Sequence, residues 1–174
     1  MGTIRDEIRQ TKPFESAADE AVVTLLATAD RVRTALSGVT EAHGMTLQQY
    51  NVLRILRGAG PAGLPTLEIA ARMIEASPGI TRLVDRLEAK GLVRRERCPA
   101  DRRQVLCHAS GRALQRLAAL ERPMADASCR LMSPLDARRS SELIRLLDAL
   151  RAAGRAATEE ESKPEARGKR ETRR

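Results

Sequence analysis

Three sets of residues in this 174-residue chain have types and spacings that could do chemistry. The first is a thiol pair. Cys98 and Cys107 stand on either side of the polar turn segment from Pro99 to Arg103, so on facing strands they can meet in a cross-strand disulfide, the chemistry of an oxidant sensor. The second is a set of soft donors: His43 and His108 with the cysteines. No CxxC or paired-histidine spacing gathers them, so neither a metal site nor a cofactor is expected, and a free thiol ordinarily packs as a small hydrophobe. The third is a run of guanidinium and hydroxyl groups. Ser77, Pro78, Gly79, Thr81, Arg82 and Arg86 precede Arg95, Arg97, Asp101, Arg102 and Arg103, and arginines at such spacings can read guanine edges and grip phosphate. No glycine-rich phosphate loop, nucleophile elbow or histidine motif is present, so an enzyme is not expected.

The elements that must position these groups follow from periodicity and punctuation. Ala18, Val22, Leu25, Ala29, Val32 and Leu36 recur at steps of four and three, the seam of a long helix after Pro13 that is expected to stop at Gly38. Thr46 and Gln49 form a capping box for a central helix through Tyr50 and Leu56, closed by Gly58, Gly60, Pro61 and Gly63. Thr66 is expected to cap a short helix from Leu67 to about Ile74. Ser77, followed by Pro78, is expected to cap a second one with the buried stripe Ile80, Leu83, Val84, Leu87. Gly91 ends it with a left-handed cap, and Leu92 supplies the accompanying apolar contact. The period then turns extended, Leu92 to Cys98 and Gln104 to Cys107, around the turn. Two short helices and a hairpin make a winged helix-turn-helix. Ser110 opens a further helix that Pro123 should kink or break, Ser133 and Pro134 open a last one, and Gly154 ends it. The fold class is therefore mainly α with a small β-hairpin wing: a winged helix-turn-helix lobe plus flanking helices.

Charge and composition fix the kind of partner. The formal net charge is +8, and ten bases against six acids put half of that excess between Leu64 and Arg112. Within Leu92–Cys107 five arginines face Glu96 and Asp101 alone, a net +3 suited to the negative minor groove of a duplex. On the helix before it, Arg82 is placed to pair two-pronged with guanine and Thr81 to meet thymine or phosphate. Gly79 allows close approach, and Arg86, a turn later, suits phosphate. The plain alternative is a solvated face in which Arg82 and Arg86 are laced to Asp85. Phe14 and Tyr50 are the only aromatic residues, which weighs against single-strand readers that stack bases. Neither a signal peptide nor a membrane-length apolar run is present, so a soluble cytoplasmic protein without membrane contact is expected.

Gln48 to Leu56, Leu67 to Ala70, Ile80 to Val93 and Asp101-Arg-Arg103 resemble the MarR family of bacterial transcriptional regulators, and the likeness covers the chain from about Phe14 to Gly154. The resemblance implies a homodimeric repressor on a pseudo-palindromic operator in double-stranded DNA, relieved by a small aromatic or anionic effector. It makes residues 77–90 the recognition helix and Asp101, Arg102 and Arg103 the wing tip, with an arginine in the minor groove. At His108 the chain departs from the family's usual capping threonine, and Ser110 is the alternative cap. It places an effector pocket near His43 and Tyr50, unusually aliphatic in a chain with so few aromatics. The domain expectation is a flexible N-terminus (1–13), a dimerisation helix and loop (14–45), the winged lobe (46–109), C-terminal dimerisation helices (110–154) and a disordered charged tail (155–174). Three other readings compete: a ligand-independent architectural DNA binder, a helical interaction module whose winged helix binds protein, and a regulator that senses oxidants through Cys98 and Cys107.

Overall fold

The computed structural model describes residues 2–75, 79–98, 101 and 104–161. Ser77, Pro78, Arg102 and Arg103 lie outside the described residues, as does the charged segment 162–174. The chain divides into two compact units, residues 1–129 and 130–174.

The first unit opens with α1 (Ile4–Glu7), a single turn in the stretch expected to be frayed. The Asp6 carboxylate closes a capping box with Thr3, and Glu7 pairs with Arg31 of α2 (Ala17–Ala42) at 2.6 Å. Ser16 caps α2, its hydroxyl oxygen accepting from the Asp19 amide. The expected stop at Gly38 does not occur. α2 runs on because Val39 packs against the core and Thr40 is fully buried, and the chain turns only at His43 and Gly44. The Thr46–Gln49 capping box forms as expected and opens α3 (Leu47–Ala59), whose Val52, Leu53 and Leu56 are completely enclosed.

A 3-10 turn (Gly60–Ala62) leads into a strand absent from the sequence reading, β1 (Leu64–Pro65). Two residues carry no detectable period, and β1 exists only because β3 supplies its partner. α4 (Thr66–Arg72) follows with Pro65 in the cap position, so Thr66 does not cap it. Its hydroxyl instead lies 3.8 Å from Cys107 Sγ. α5 (Ile80–Ala89) begins with Gly79 in the cap position, later than the expected Ser77 cap. β2 (Val93–Arg97) and β3 (Val105–Ala109) form the hairpin of a three-stranded antiparallel sheet ordered β1-β3-β2. α6 (Gly111–Met132) starts where Ser110 accepts from the Ala113 amide, and it runs through Pro123 without the expected break. One core joins α3, α4, α5, the sheet and the first half of α6 through residues such as Leu53, Ile69, Leu87, Cys107 and Leu117. Removing any of these large enclosed side chains typically costs about 2–5 kcal/mol.

The second unit holds the end of α6 and α7 (Ala137–Glu161). The cap of α7 is Asp136, whose carboxylate accepts from the Arg139 amide at 2.7 Å. The expected cap, Ser133, instead donates its hydroxyl to the Arg130 carbonyl. The helix does not end at Gly154 but continues to Glu161, so the beginning of the segment expected to be disordered is helical. Among the described residues no helix is long and apolar enough to cross a membrane.

Candidate nucleic-acid interface

The site grows from the amphipathic pattern of α5. Ile80, Leu83, Val84 and Leu87 are buried, which leaves Gly79, Thr81, Arg82, Asp85 and Arg86 exposed along the opposite face. The helix ends as the sequence requires. Gly91 adopts φ +66°, its amide donates to Glu88 and the Leu92 amide to Leu87, and Leu92 is enclosed beneath the turn. That cap turns the chain directly into β2, so the position of the hairpin is set by the position of α5.

A second connection reinforces the first. Arg95 of β2 reaches back to α5, with 2.7 Å to Asp85 and 2.9 Å to Glu88. Burial alone would lower the Arg95 pKa; hydrogen bonds to Asp85 and Cys107 and the charge of Glu88 outweigh it, so the guanidinium is held above its ordinary value. Arg95 was expected among the DNA contacts of the wing. In the structure its Nη1 faces both carboxylates, so it braces the wing on the helix. The brace has a consequence for the face of α5. With Asp85 engaged by Arg95, neither Arg82 nor Arg86 has a carboxylate partner among the described residues. The lacing of Arg82 and Arg86 to Asp85 is therefore absent.

Further along the hairpin, Arg94 is taken up by Glu96, while Arg97 is exposed and has no carboxylate partner among the described residues. Arg94 chiefly, with His108, holds the Glu96 carboxyl below the usual carboxylate range. His108 Nε2 lies 3.1 Å from Glu96 Oε1 without hydrogen-bond geometry, and the ring is buried against Gly63. The ladder closes toward the tip with Cys98 donating to Gln104 and Gln104 to Asp101, both at 2.9 Å.

The register also bears on the expected cross-strand disulfide. Cys107 stands opposite Arg95 and is fully buried, whereas Cys98 pairs with Gln104 at the far end of the hairpin. Odd and even positions of a strand point to opposite faces, so Cys98 and Cys107 project from opposite sides of the sheet and a cross-strand bridge has no geometry here. Both are free thiols, as is Cys129. Among the described residues no cluster of three or more His, Cys, Asp or Glu could hold a metal.

The same unit contains a cavity of about 690 Å³ between α2, α3 and the segment after α4. Its wall is aliphatic, with Val32, Leu36, Leu47, Met73, Ile74 and Met124, and Tyr50 is its only aromatic residue. Of the two expected pocket residues Tyr50 lines it and His43 does not; His43 terminates α2, its Nδ1 2.9 Å from the Val39 carbonyl. The sequence reading missed the cavity's arginines. Arg33 is held by Asp30 at 2.6 Å and Glu75 at 3.1 Å, and Arg54 lies over the Tyr50 ring at 5.7 Å. The i, i+4 spacing of Tyr50 and Arg54 was the available signal.

Residues 45–105 match the pattern of the MarR family. The chain is 39% identical to a MarR transcription factor from Planctomyces limnophilus of known crystal structure, covering 79% of this chain and 99% of that one, with a TM-score of 0.60. It is 33% identical over 69 residues to YkoM, an uncharacterised HTH-type transcriptional regulator of Bacillus subtilis, covering 40% of this chain and 44% of that protein. The matched region spans about half the length of the curated relatives it resembles. The fold is also that of Sco3205, a MarR family regulator from Streptomyces coelicolor crystallised in complex with DNA, with 23% identity, a TM-score of 0.71, and 83% and 92% of the two chains covered. An amphipathic helix braced to a basic hairpin, in a chain that so nearly spans a MarR transcription factor, identifies the protein as a member of the MarR family of transcriptional regulators.

Proposed function

We propose that the protein is a sequence-specific double-stranded DNA-binding regulator that acts as a homodimeric repressor. In this reading α5 enters the major groove with Gly79, Thr81 and Arg82 at base edges and Arg86 on phosphate. Ser77 and Pro78 lead into it, and the hairpin lies along the flanking minor groove through Arg97, Asp101, Arg102 and Arg103. The observation that carries the reading is the exposed face of α5. Two arginines stand there without a carboxylate partner among the described residues, and Asp85, the acid on the same face, is engaged by Arg95. Unneutralised cations on one helix face are what groove binding uses, two-pronged to guanine or singly to phosphate. The DNA-bound state of Sco3205, which shares the fold, supports it.

Dimerisation accounts for apolar side chains left in water. Val22, Leu25 and Leu26 of α2 are exposed, as are Ile144, Leu146 and Leu150 of α7. The aliphatic cavity is the effector site in this account. An acid with an aliphatic body suits it better than a flat aromatic one, with Arg54 as the charge partner and Tyr50 packed beside it.

The test is the salt dependence of duplex binding. Arg82→Ala should weaken binding by about 1–3 kcal/mol and relax the preference at one base position. Arg86→Ala should weaken all duplexes alike and lower the slope of log K against log salt by about 1. Unchanged affinity in both variants would remove the helix from the interface.

A further inference from the structure

We propose a second binding site, for a small phosphate-bearing anion, in the cleft between the end of α5 and the start of α6. The cleft encloses about 350 Å³ and is lined by Gly44, Ala89, Lys90, Leu92, Arg112 and Arg116. Its charged side chains are three cations with no acid among them. Elsewhere arginines commonly find a carboxylate within 4.0 Å, as Arg31, Arg33, Arg57 and Arg72 do. Lys90, Arg112 and Arg116 have none among the described residues.

Their placement compounds the imbalance. Lys90 suits the negative C-terminal end of α5, but Arg112 and Arg116 occupy the first two turns of the 22-residue α6, the positive end, where the macrodipole favours anions. Like charges gathered at a helix N-terminus repel one another. A bound anion of two or more charges reverses the sign of each of those interactions.

The cations are also partly preset. Arg112 Nη1 donates to the Lys90 carbonyl at 3.3 Å, and half-buried Arg116 extends over Gly44, where a Cβ would stand 3.9 Å from its Nη1. Side chains ordered before the ligand arrives lose less freedom on binding. Two planar forks match the several oxygens of a phosphate chain better than the two of one carboxylate. The lining offers no aromatic ring to stack a base, so the phosphates rather than a nucleobase are recognised. At about 1.5 Å per residue, the ten residues of α5 separate this cleft from the DNA-reading N-terminal end by roughly 15 Å. The site therefore stands apart from the proposed groove contacts and does not depend on them.

Calorimetric titration of the full chain, without DNA and at fixed ionic strength, compares pyrophosphate, orthophosphate and ADP. Pyrophosphate and ADP should bind alike, each on the order of tenfold tighter than orthophosphate. The double variant Arg112→Gln/Arg116→Gln should lose about tenfold or more toward both, while Arg82→Gln should bind as the parent does; each tenfold is about 1.4 kcal/mol. If the double variant melts early, Lys90→Gln provides the same comparison. Three results would overturn the site: no pyrophosphate binding at millimolar concentration, equal binding by parent and cleft variants, or ADP far tighter than pyrophosphate. A cleft variant that keeps pyrophosphate but loses duplex affinity with a shallower salt slope would instead assign these arginines to the DNA backbone.

Discussion

Among individual side chains, what separates one arginine from another is whether a carboxylate engages it. Arg95 and Arg82 differ by what faces them: two carboxylates in one case, none among the described residues in the other. Arg95→Ala should therefore lower duplex affinity by releasing the wing, with the salt slope left as in the parent. Arg82→Ala should lower it by losing a contact. The sequence placed both in one basic set because a residue's type does not say whether its partner lies seven or ten residues back on another element. The Glu96 carboxyl, held low by Arg94 and His108, yields a pH prediction of defined sign. A depressed carboxylate pKa contributes stability that is complete above the unfolded value of about 4.3 and is lost as pH falls through the lower folded value. Below about pH 4, hydrogen exchange at the β2–β3 amides should accelerate; in Glu96→Gln that acid-dependent increment should be absent.

At the element scale the tight junctions carry the architecture. Gly63 has φ +62°, and a Cβ there would stand 2.4 Å from His108 Cε1. Gly63→Ala should cost about 1–3 kcal/mol in denaturant unfolding, from strained backbone and overpacking together. His108→Ala in the same chain should recover the overpacking part and leave the backbone part. The register of the hairpin gives a matching chemical prediction: oxidation of the purified protein with diamide should produce no Cys98–Cys107 crosslink on peptide mapping. Much of this scale was readable from the sequence. The Thr46 capping box, the α5 stripe, the Gly91 stop and the Ser110 cap each rest on interactions within a few residues, where local chemistry decides. Other features rest on longer-range causes. Gly38 and Gly154 are weak local signals that long helices override, Pro123 is a strong one that the 22-residue α6 nevertheless runs through, and β1 is defined entirely by a strand some forty residues away.

At the scale of the whole molecule, half of the +8 charge sits between Leu64 and Arg112, and exposed apolar residues remain on α2 and α7. Leu26 is 65% exposed and Ile144 58% exposed within helices otherwise well formed, and in the proposed homodimer a second copy covers them. Leu26→Glu should shift the protein toward monomer in sedimentation at micromolar concentration, and duplex affinity should fall with it. The central claim, that the braced helix and wing read a particular duplex, is tested most directly by fluorescence anisotropy at one salt concentration, comparing DNA from the protein's own upstream region with a random duplex of equal length. The account predicts a preference of on the order of a thousandfold or more for the upstream DNA, largely removed by Arg82→Ala; equal affinity for the two duplexes would contradict it.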